Sequence, residues 1–205
     1  MNESRDTRQA LLASARKLFA RSGYDGTSIK AITSAAHANL GAVTYHFGTK
    51  DNLYEEVIRS LVGPLLAEVQ KAGSVPGAPI DRIEACLRAY FHYMYSHPEG
   101  LSIMMHELTL GRKLPAPIRE SMGPLLALIG RVVQDGQGDG SIIEGDPRLM
   151  TISTIAQAAF LLIVRRPLRE IAGIDILDRL ECDRVLEHIV AFARRGLVNT
   201  NGGPA

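Results

Sequence analysis

Apolar side chains recur at helical spacing along most of the chain, and no stretch shows the sustained alternation of a β-strand. Residues 6–21 predict a first helix, which Gly23 is placed to end. One face of this helix is apolar: Leu11, Leu12, Ala15, Leu18 and Phe19. Thr27 or Ser28 can cap a short second helix, since both hydroxyls can accept a backbone N–H. The apolar side of the second helix is Ile29, Ile32 and Ala36.

A third short helix follows a tight turn at residues 37–38. Asn39 is its predicted N-cap residue. The helix buries Val43 and Phe47, and Gly48 ends it. Two short helices joined by a tight turn form a helix-turn-helix, whose second helix can enter the major groove of DNA.

A fourth helix follows at once. Thr49 can cap it, and Asp51 in its first turn suits the helix dipole. It is predicted to continue to about Lys71, before the break at VPGAP, residues 75–79. Five further helices are predicted: residues 80–96, 98–110, 118–133, 148–164 and 178–195. The predicted buried face of the last helix consists of Leu180, Val185, Leu186, Ile189, Val190 and Ala193.

The breaks between the later helices come from proline and glycine. DGQGDG, residues 135–140, is predicted to be a loop. Pro147 can occupy the first turn of the helix over residues 148–164, and Pro167 interrupts the pattern after it. The fold class is therefore all-α. We expect an N-terminal three-helix helix-turn-helix DNA-binding domain over residues 1–50 and a larger helical ligand-binding and dimerisation domain over residues 51–205.

Charge is distributed unevenly along the chain. The net charge is +1, but residues 1–50 hold seven Lys and Arg residues against three acidic ones, about +4, and the remainder carries about −3. A basic end on a mildly acidic body favours one face that meets phosphate. The two cysteines, Cys86 and Cys182, are predicted to be reduced and buried. A polar N-terminus and the lack of a membrane-length apolar run predict a soluble cytoplasmic protein with no membrane partner.

The outer side of the third helix carries small or polar residues, which let a backbone approach base edges and let longer side chains reach sugar and phosphate. These residues are Gly41, Ala42, Thr44, Tyr45 and His46. Together with Asn39 they form the predicted DNA-reading segment. Lys50 lies in the first turn of the next helix, where free N–H groups and a positive charge favour a phosphate.

The stretch TSIKAITSAAHANLGAVTYHFGTKDNLYEEV, residues 27–57, resembles the DNA-binding region of TetR-family transcriptional regulators. In that family the recognition helix typically ends in an aromatic-His-Phe sequence, followed by a small residue, a lysine and an acidic helix start. TYHFGTKDNLY matches this order and spacing. The resemblance implies phosphate contacts from Thr27 and Ser28, a DNA contact from Lys30, and contacts with the DNA backbone from Tyr45 and His46. Lys50 matches the lysine that the family carries on the next helix.

The chain departs from the family pattern at three positions. His37 stands where the turn commonly has glycine, so a positive φ there would be strained, although His tolerates it better than most residues. Leu40 stands where Arg or Lys is frequent, and Thr44 where Tyr is frequent. Few charged donors are therefore left to read bases.

The resemblance also implies that the C-terminal helices bind a small molecule and form a homodimer. Residues 148–164 are apolar on nearly all sides, which a second subunit, or the core of a monomer, would cover. Residues 89–108 mix aromatic, thioether and polar groups, as ligand pockets do, although the same residues could be ordinary core. The candidate ligand-binding residues are Tyr90, Tyr93, Met94, Met104, His106, Gln157 and Phe160.

The sequence contains no glycine-rich phosphate loop, nucleophile elbow or HExxH motif. We expect no catalytic residue, metal site or cofactor. The predicted function is a ligand-responsive transcriptional regulator, most readily a repressor that a small, largely apolar effector releases from double-stranded operator DNA. The alternative is a small α-helical enzyme or ligand-binding protein with a helix-turn-helix-like segment, which salt-dependent DNA binding would distinguish.

Overall fold

The computed structural model describes residues 2–109 and 113–200. Apart from one isolated β-bridge between Ile142 and Val198, the regular structure of these residues is helical, which confirms the all-α prediction. Their helices, in chain order, are α1 (Asn2–Ser22), α2 (Ile29–Ala35), α3 (Ala42–Phe47), α4 (Lys50–Gly73), α5 (Pro79–Ser96), α6 (Pro98–Thr109), α7 (Ala116–Gly138), α8 (Pro147–Ile163), α9 (Arg165–Ala172) and α10 (Arg179–Leu197).

The chain forms two compact units. The first comprises residues 1–63 and 97–120, and the second comprises residues 64–96 and 121–205. The first unit thus contains, besides the three N-terminal helices, the beginning of α4 and the whole of α6. In it, α1 packs against α2, α3 and α6. In the second unit, α5, α8 and α10 pack against one another, and α9 packs against α8.

The predicted ends of the first two helices are confirmed. Gly23 has φ +67°, and its N–H donates to the Phe19 carbonyl at 2.9 Å. That left-handed conformation is open to glycine at no steric cost. Ser28 caps α2, since its hydroxyl accepts the Ala31 N–H at 3.1 Å.

The predicted loop at residues 135–140 is wrong, because α7 continues to Gly138. Gly136 lies inside this helix at a position where a larger residue would clash with a neighbouring side chain. A Cβ at this position would lie 2.5 Å from the Ile142 side chain. The Gly136 carbonyl also accepts the Ile142 N–H at 2.9 Å. The glycine therefore admits the buried Ile142 side chain, and packing outweighs its low helix propensity.

The two prolines that flank α8 act as predicted. Pro147 is the first helical residue, and the Asp146 carboxylate caps the helix by accepting the Arg148 N–H at 2.9 Å. The helix ends at Ile163. Because Pro167 has no N–H, it cannot donate to the carbonyl of residue 163, and its ring would clash there if the helix continued.

Most of the residues predicted to be buried on the last helix are buried, but one is not. Leu180 was expected on the buried face but is 80% exposed. It lies nine residues before the buried Ile189, which at about 3.6 residues per turn puts it on the opposite side of α10. The buried face consists of Cys182, Val185, Leu186, Ile189, Val190, Ala193 and Leu197.

Both cysteines are free and buried, as predicted. Burial raises the pKa of the Cys86 thiol to about 11, although the nearby Arg82 charge lowers it. Over the described ranges, no single helix has the length and apolar character needed to cross a membrane. Taken together, α8 and α9 meet that test of length and composition, but they are bent by 71°.

Candidate nucleic-acid interface

The short helix α3 packs against α1 and α2 and has three buried residues, Ala42, Val43 and Phe47. Val43 and Phe47 face inward, as the sequence predicts. The guanidinium of Arg8 on α1 lies 5.0 Å from the centre of the Phe47 ring, and it also pairs with Glu56 on α4 at 2.8 Å. One arginine thus contacts the end of α3 and links α1 to α4, which fixes the direction in which α3 points.

The turn before α3 has the strained residue that the sequence suggests. His37 has φ +52° and is the one described non-glycine residue with positive φ. Backbone hydrogen bonds hold it there: the His37 N–H donates to the Ser34 carbonyl at 3.2 Å, and the Ala38 N–H donates to the Thr33 carbonyl at 2.9 Å. The turn therefore holds a positive φ at His37 without glycine, at some cost in backbone strain.

The beginning of α3 differs from the prediction in two ways. The N-cap residue is Gly41, with no capping side chain, so the prediction of Asn39 as N-cap is wrong. Asn39 instead begins a turn in which its carbonyl accepts the Ala42 N–H at 3.1 Å. Ala42, expected on the outer side, is buried. With a helix this short, the first turn packs inward along with Val43.

Five exposed residues lie on the outer side of α3 and in the segment just before it. Asn39, Gly41 and Thr44 are exposed, and Leu40 projects into solvent. Tyr45 is 79% exposed, which makes it one of the most exposed large side chains in the molecule. The half-buried His46 ring packs edge-on against the Tyr45 ring, with centroids 4.8 Å apart. Burial therefore does not account for the position of Tyr45.

The junction between α3 and α4 is fixed by interlocking caps. Gly48 ends α3 with φ +76°, and Asn52 donates its side-chain N–H to the Phe47 carbonyl at 3.0 Å. The Thr49 hydroxyl accepts the Asn52 N–H at 3.1 Å, which confirms Thr49 as the cap of α4. The Asn52 side chain therefore joins the start of α4 to the end of α3.

Lys50 is the first residue of α4, and its ammonium lies over an aromatic ring. Its Nζ is 4.1 Å from the centre of the Tyr24 ring, and the Tyr24 hydroxyl donates to the Asp51 carboxylate. Sequence reasoning missed Tyr24 and Arg8. The local sequence around Gly23 marks only a helix end, and neither contact is visible from residues so far apart in the chain.

The three candidates near α2 occupy different environments. Thr27 is buried, and its hydroxyl donates to the Gly23 carbonyl at 2.8 Å. Ser28 is exposed at the N-cap, and Lys30 is exposed in the first turn of α2. Ser28 and Lys30 are therefore open to a phosphate, whereas Thr27 supports the turn from inside.

The seven ligand candidates are divided between the two units. In the second unit, Tyr90 and Met94 are buried on α5, and Tyr93 is half-buried. Burial raises the pKa of Tyr90 to about 12. Gln157 borders a groove of about 270 Å³ between α8 and α10, while Phe160 is 61% exposed on α8.

The other two candidates belong to the first unit. Met104 borders a small cavity of about 20 Å³. His106 packs its ring against Gly23, and its Nε2 lies 3.3 Å from the Ala20 carbonyl. Both therefore contact the helical bundle that carries α3. No group of three or more potential metal ligands occurs among the residues that the structure describes.

These features define a helix-turn-helix protein with an attached helical body. Residues 11–57 match the family model of bacterial regulatory proteins of the tetR family, and residues 79–192 match that of the tetracyclin repressor-like C-terminal domain. The second match alone spans more than half of the chain. The chain belongs to the TetR family, and it is a DNA-binding transcriptional regulator.

Individual relatives and structures agree with this assignment. The probable acrEF/envCD operon repressor of Escherichia coli K12 is 29% identical over 182 residues, which are 85% of this chain and 81% of that protein. The fold is similar to that of the ketosteroid transcriptional regulator KstR2 of Mycobacterium tuberculosis, with a TM-score of 0.77, 19% identity, and coverage of 94% and 95%. It is also similar to AibR in complex with isovaleryl coenzyme A and operator DNA, with a TM-score of 0.73, 15% identity, and coverage of 91% and 97%.

Proposed function

We propose that the protein is a homodimeric repressor in which α3 of each subunit enters a major groove of operator DNA. The observation that carries this proposal is the exposed surface of α3. Tyr45 projects into solvent from a helix whose direction is fixed at both ends by turn and cap contacts. Ser28, Lys30 and Lys50 supply backbone contacts beside it. Such contacts set the position of a protein on the duplex, whereas base edges supply the sequence information.

The proposed dimer uses the outer faces of α8 and α10. Leu149, Ile152, Ala156 and Phe160 are exposed and follow one another at spacings of three and four residues. They therefore form one apolar stripe along α8. On α10, His188 and the exposed Phe192 lie four residues apart. A second copy that presents the same surface would bury the α8 stripe together with His188 and Phe192 of α10, in an intersubunit four-helix packing.

The proposed effector is a small, largely apolar organic molecule that binds the helical body. Support comes from α5 in the second unit, where Tyr90 and Met94 are buried with Tyr93 beside them. Apolar lining with a few polar groups is how small-molecule sites are built. The fold is similar to that of a protein crystallised with an acyl-coenzyme A and operator DNA. An effector that carries an acyl chain would suit the apolar side chains of α5.

In the proposed mechanism, the effector stabilises a conformation with a different tilt of α4. This helix begins beside α3 and has residues in both compact units. Tilting it changes the separation of the two α3 helices, which must lie about 34 Å apart to meet successive major grooves. Release requires the effector to prefer the conformation that does not bind DNA.

The direct test of the function is to isolate genomic fragments that bind the purified protein. Selective retention of one or a few fragments at physiological salt supports it, and salt-insensitive or absent retention contradicts it.

Lys50→Ala is expected to weaken binding to operator and unrelated DNA by about the same factor, because a phosphate contact carries no base information. The plot of log affinity against log salt should become shallower by about one unit for each phosphate that a subunit no longer neutralises. The measurement is fluorescence anisotropy over a salt series. Lys71→Ala, which removes an exposed charge from the last turn of the same helix, should leave the slope unchanged. Equal slopes for wild type and Lys50→Ala would remove Lys50 from the interface.

Tyr90→Ala is expected to reduce release from the operator by effector without changing DNA affinity in its absence. Because Tyr90 is 5% exposed, truncation to alanine also removes core packing, on the order of 3–5 kcal/mol for a large aromatic. Tyr90→Phe keeps the ring and separates the two effects. Candidate acyl and aromatic compounds are titrated against the protein–operator complex of each variant. If both variants release as wild type does, Tyr90 belongs to the core alone.

A further inference from the structure

The ring of Tyr24 contacts the lysine that the proposed interface uses. Tyr24 lies in the turn after α1, and the Lys50 ammonium sits 4.1 Å from its ring centre. That distance is well within the roughly 6 Å range over which a cation is attracted to the face of an aromatic ring. Both side chains are half-buried, so the ammonium keeps room for a phosphate oxygen while its stem is held.

The hydroxyl of the same tyrosine engages the acidic neighbour of Lys50. It donates a hydrogen bond to Asp51 Oδ1. A free carboxylate beside Lys50 would compete with DNA phosphate for the ammonium and would repel the phosphate itself. Among the described residues, no ion pair joins Lys50 to Asp51 within 4.0 Å. One ring thus holds the cation on its face and the carboxylate at its hydroxyl.

The ring of Tyr24 is itself held in place by the core of the first unit. It lies 5.0 Å from the Tyr54 ring and 6.1 Å, in a stacked arrangement, from the Phe19 ring. Phe19 and Tyr54 are buried, and the Tyr54 hydroxyl donates to the buried Glu107 carboxylate on α6 at 2.6 Å. Tyr24 therefore has little freedom to turn away from Lys50.

We propose that Tyr24 is a positioning residue for DNA binding: it holds the Lys50 ammonium ready for the phosphate and keeps Asp51 away from it. The proposal rests on the proposed phosphate contact of Lys50. A free lysine side chain loses considerable rotamer freedom when it is fixed on a phosphate. With the ring in place, part of that freedom is already lost before DNA arrives. Within the described part of the chain, the exposed Lys30 makes no such ring contact.

The test is a double-mutant cycle in the full-length protein with Tyr24→Leu, Tyr24→Phe, Lys50→Ala and the pair Tyr24→Leu/Lys50→Ala. Tyr24→Leu is expected to weaken binding to operator and unrelated DNA alike, by roughly 5- to 30-fold for the two subunits together. Tyr24→Phe keeps the ring face and should stay within about 3-fold of wild type. In the Lys50→Ala background, Tyr24→Leu should have no larger effect than Tyr24→Phe has in the wild-type background, because the ammonium that the ring holds is gone and only the release of Asp51 remains. Equal effects of Tyr24→Leu in the two backgrounds overturn the proposal.

The cycle separates this inference from the proposed function. If Lys50→Ala weakens binding and Tyr24→Leu does not, only the role of Tyr24 fails. If Lys50→Ala leaves binding unchanged, the phosphate contact fails and the positioning role falls with it. NMR supplies a measurement without DNA that does not depend on the leucine variant folding. The Lys50 side-chain methylene protons should be shifted upfield by the ring in wild type and Tyr24→Phe, and ordinary lysine shifts in both would overturn the proposal.

Discussion

Tyr45→Ala is expected to abolish tight DNA binding while leaving the fold and the dimer intact. Because Tyr45 is 79% exposed, its side chain contributes little to folding, and surface changes of this kind usually alter the free energy of unfolding by about 0.5 kcal/mol or less. A hydrogen bond to a charged phosphate contributes about 1.5–3 kcal/mol. Loss of one in each subunit corresponds to a decrease in affinity of roughly 10²- to 10⁴-fold.

Affinity is measured by anisotropy on operator DNA, and circular dichroism and sedimentation report fold and assembly. His46→Ala belongs in the same series, with His92→Ala on the exposed side of α5 as its matched control. His46 is half-buried between two rings, so its truncation separates binding from packing less cleanly. A Tyr45→Ala protein that unfolds would mean that the residue is needed for packing after all. A folded variant with wild-type affinity would place the DNA elsewhere.

Phe160→Arg is expected to dissociate the dimer without unfolding the subunit. The exposed position of Phe160 on α8 means that an arginine can be solvated in a separate subunit. In the proposed dimer, two unpaired charges would instead be buried, one from each copy. Each unpaired buried charge is destabilising by about 3–5 kcal/mol, so the dissociation constant of the dimer should rise by 10³-fold or more, as an order of magnitude.

Sedimentation velocity over a concentration series measures this change directly. Val75→Arg is the control, because Val75 is a large exposed apolar residue in the loop between α4 and α5 and is not part of the α8 stripe. Operator affinity should fall together with dimerisation, since two half-sites are then no longer bound as one. A Phe160→Arg protein that remains a dimer would show that this face of α8 does not pack between subunits.

Local signals account for what the sequence predicted well. Gly23, Ser28, Gly48, Thr49 and Pro147 all have the predicted roles at helix ends, because each role depends on a property of that residue and its near neighbours. The family resemblance added the candidate contacts of α3, and the family models confirm the class of protein. The contacts themselves, the domain boundaries at residues 1–50 and 51–205, and the ligand residues stay predictions.

The errors arose where the residue type alone did not fix the position of a helix end or the face on which a residue lies. DGQGDG has the composition of a loop, yet α7 runs to Gly138, and Gly136 within it leaves the space that the Ile142 side chain fills. Leu180 is apolar and was counted with the buried face of α10, yet it lies about 2.5 turns from Ile189, on the exposed side of the helix. Asn39 has an ideal capping side chain, yet the chain turns for two more residues before α3 begins.

The sequence by itself determined the all-α class, most helix bounds and the DNA-binding family, because periodicity, caps and the TYHFGTKDNLY motif are local properties of the chain. Only the tertiary structure decided which members of the motif are free to act. It buried Thr27 and Ala42, exposed Tyr45, and brought Lys50 over a ring 26 residues earlier in the chain. Burial and ring contacts depend on how helices pack, and a pattern of neighbours along the chain does not contain that information.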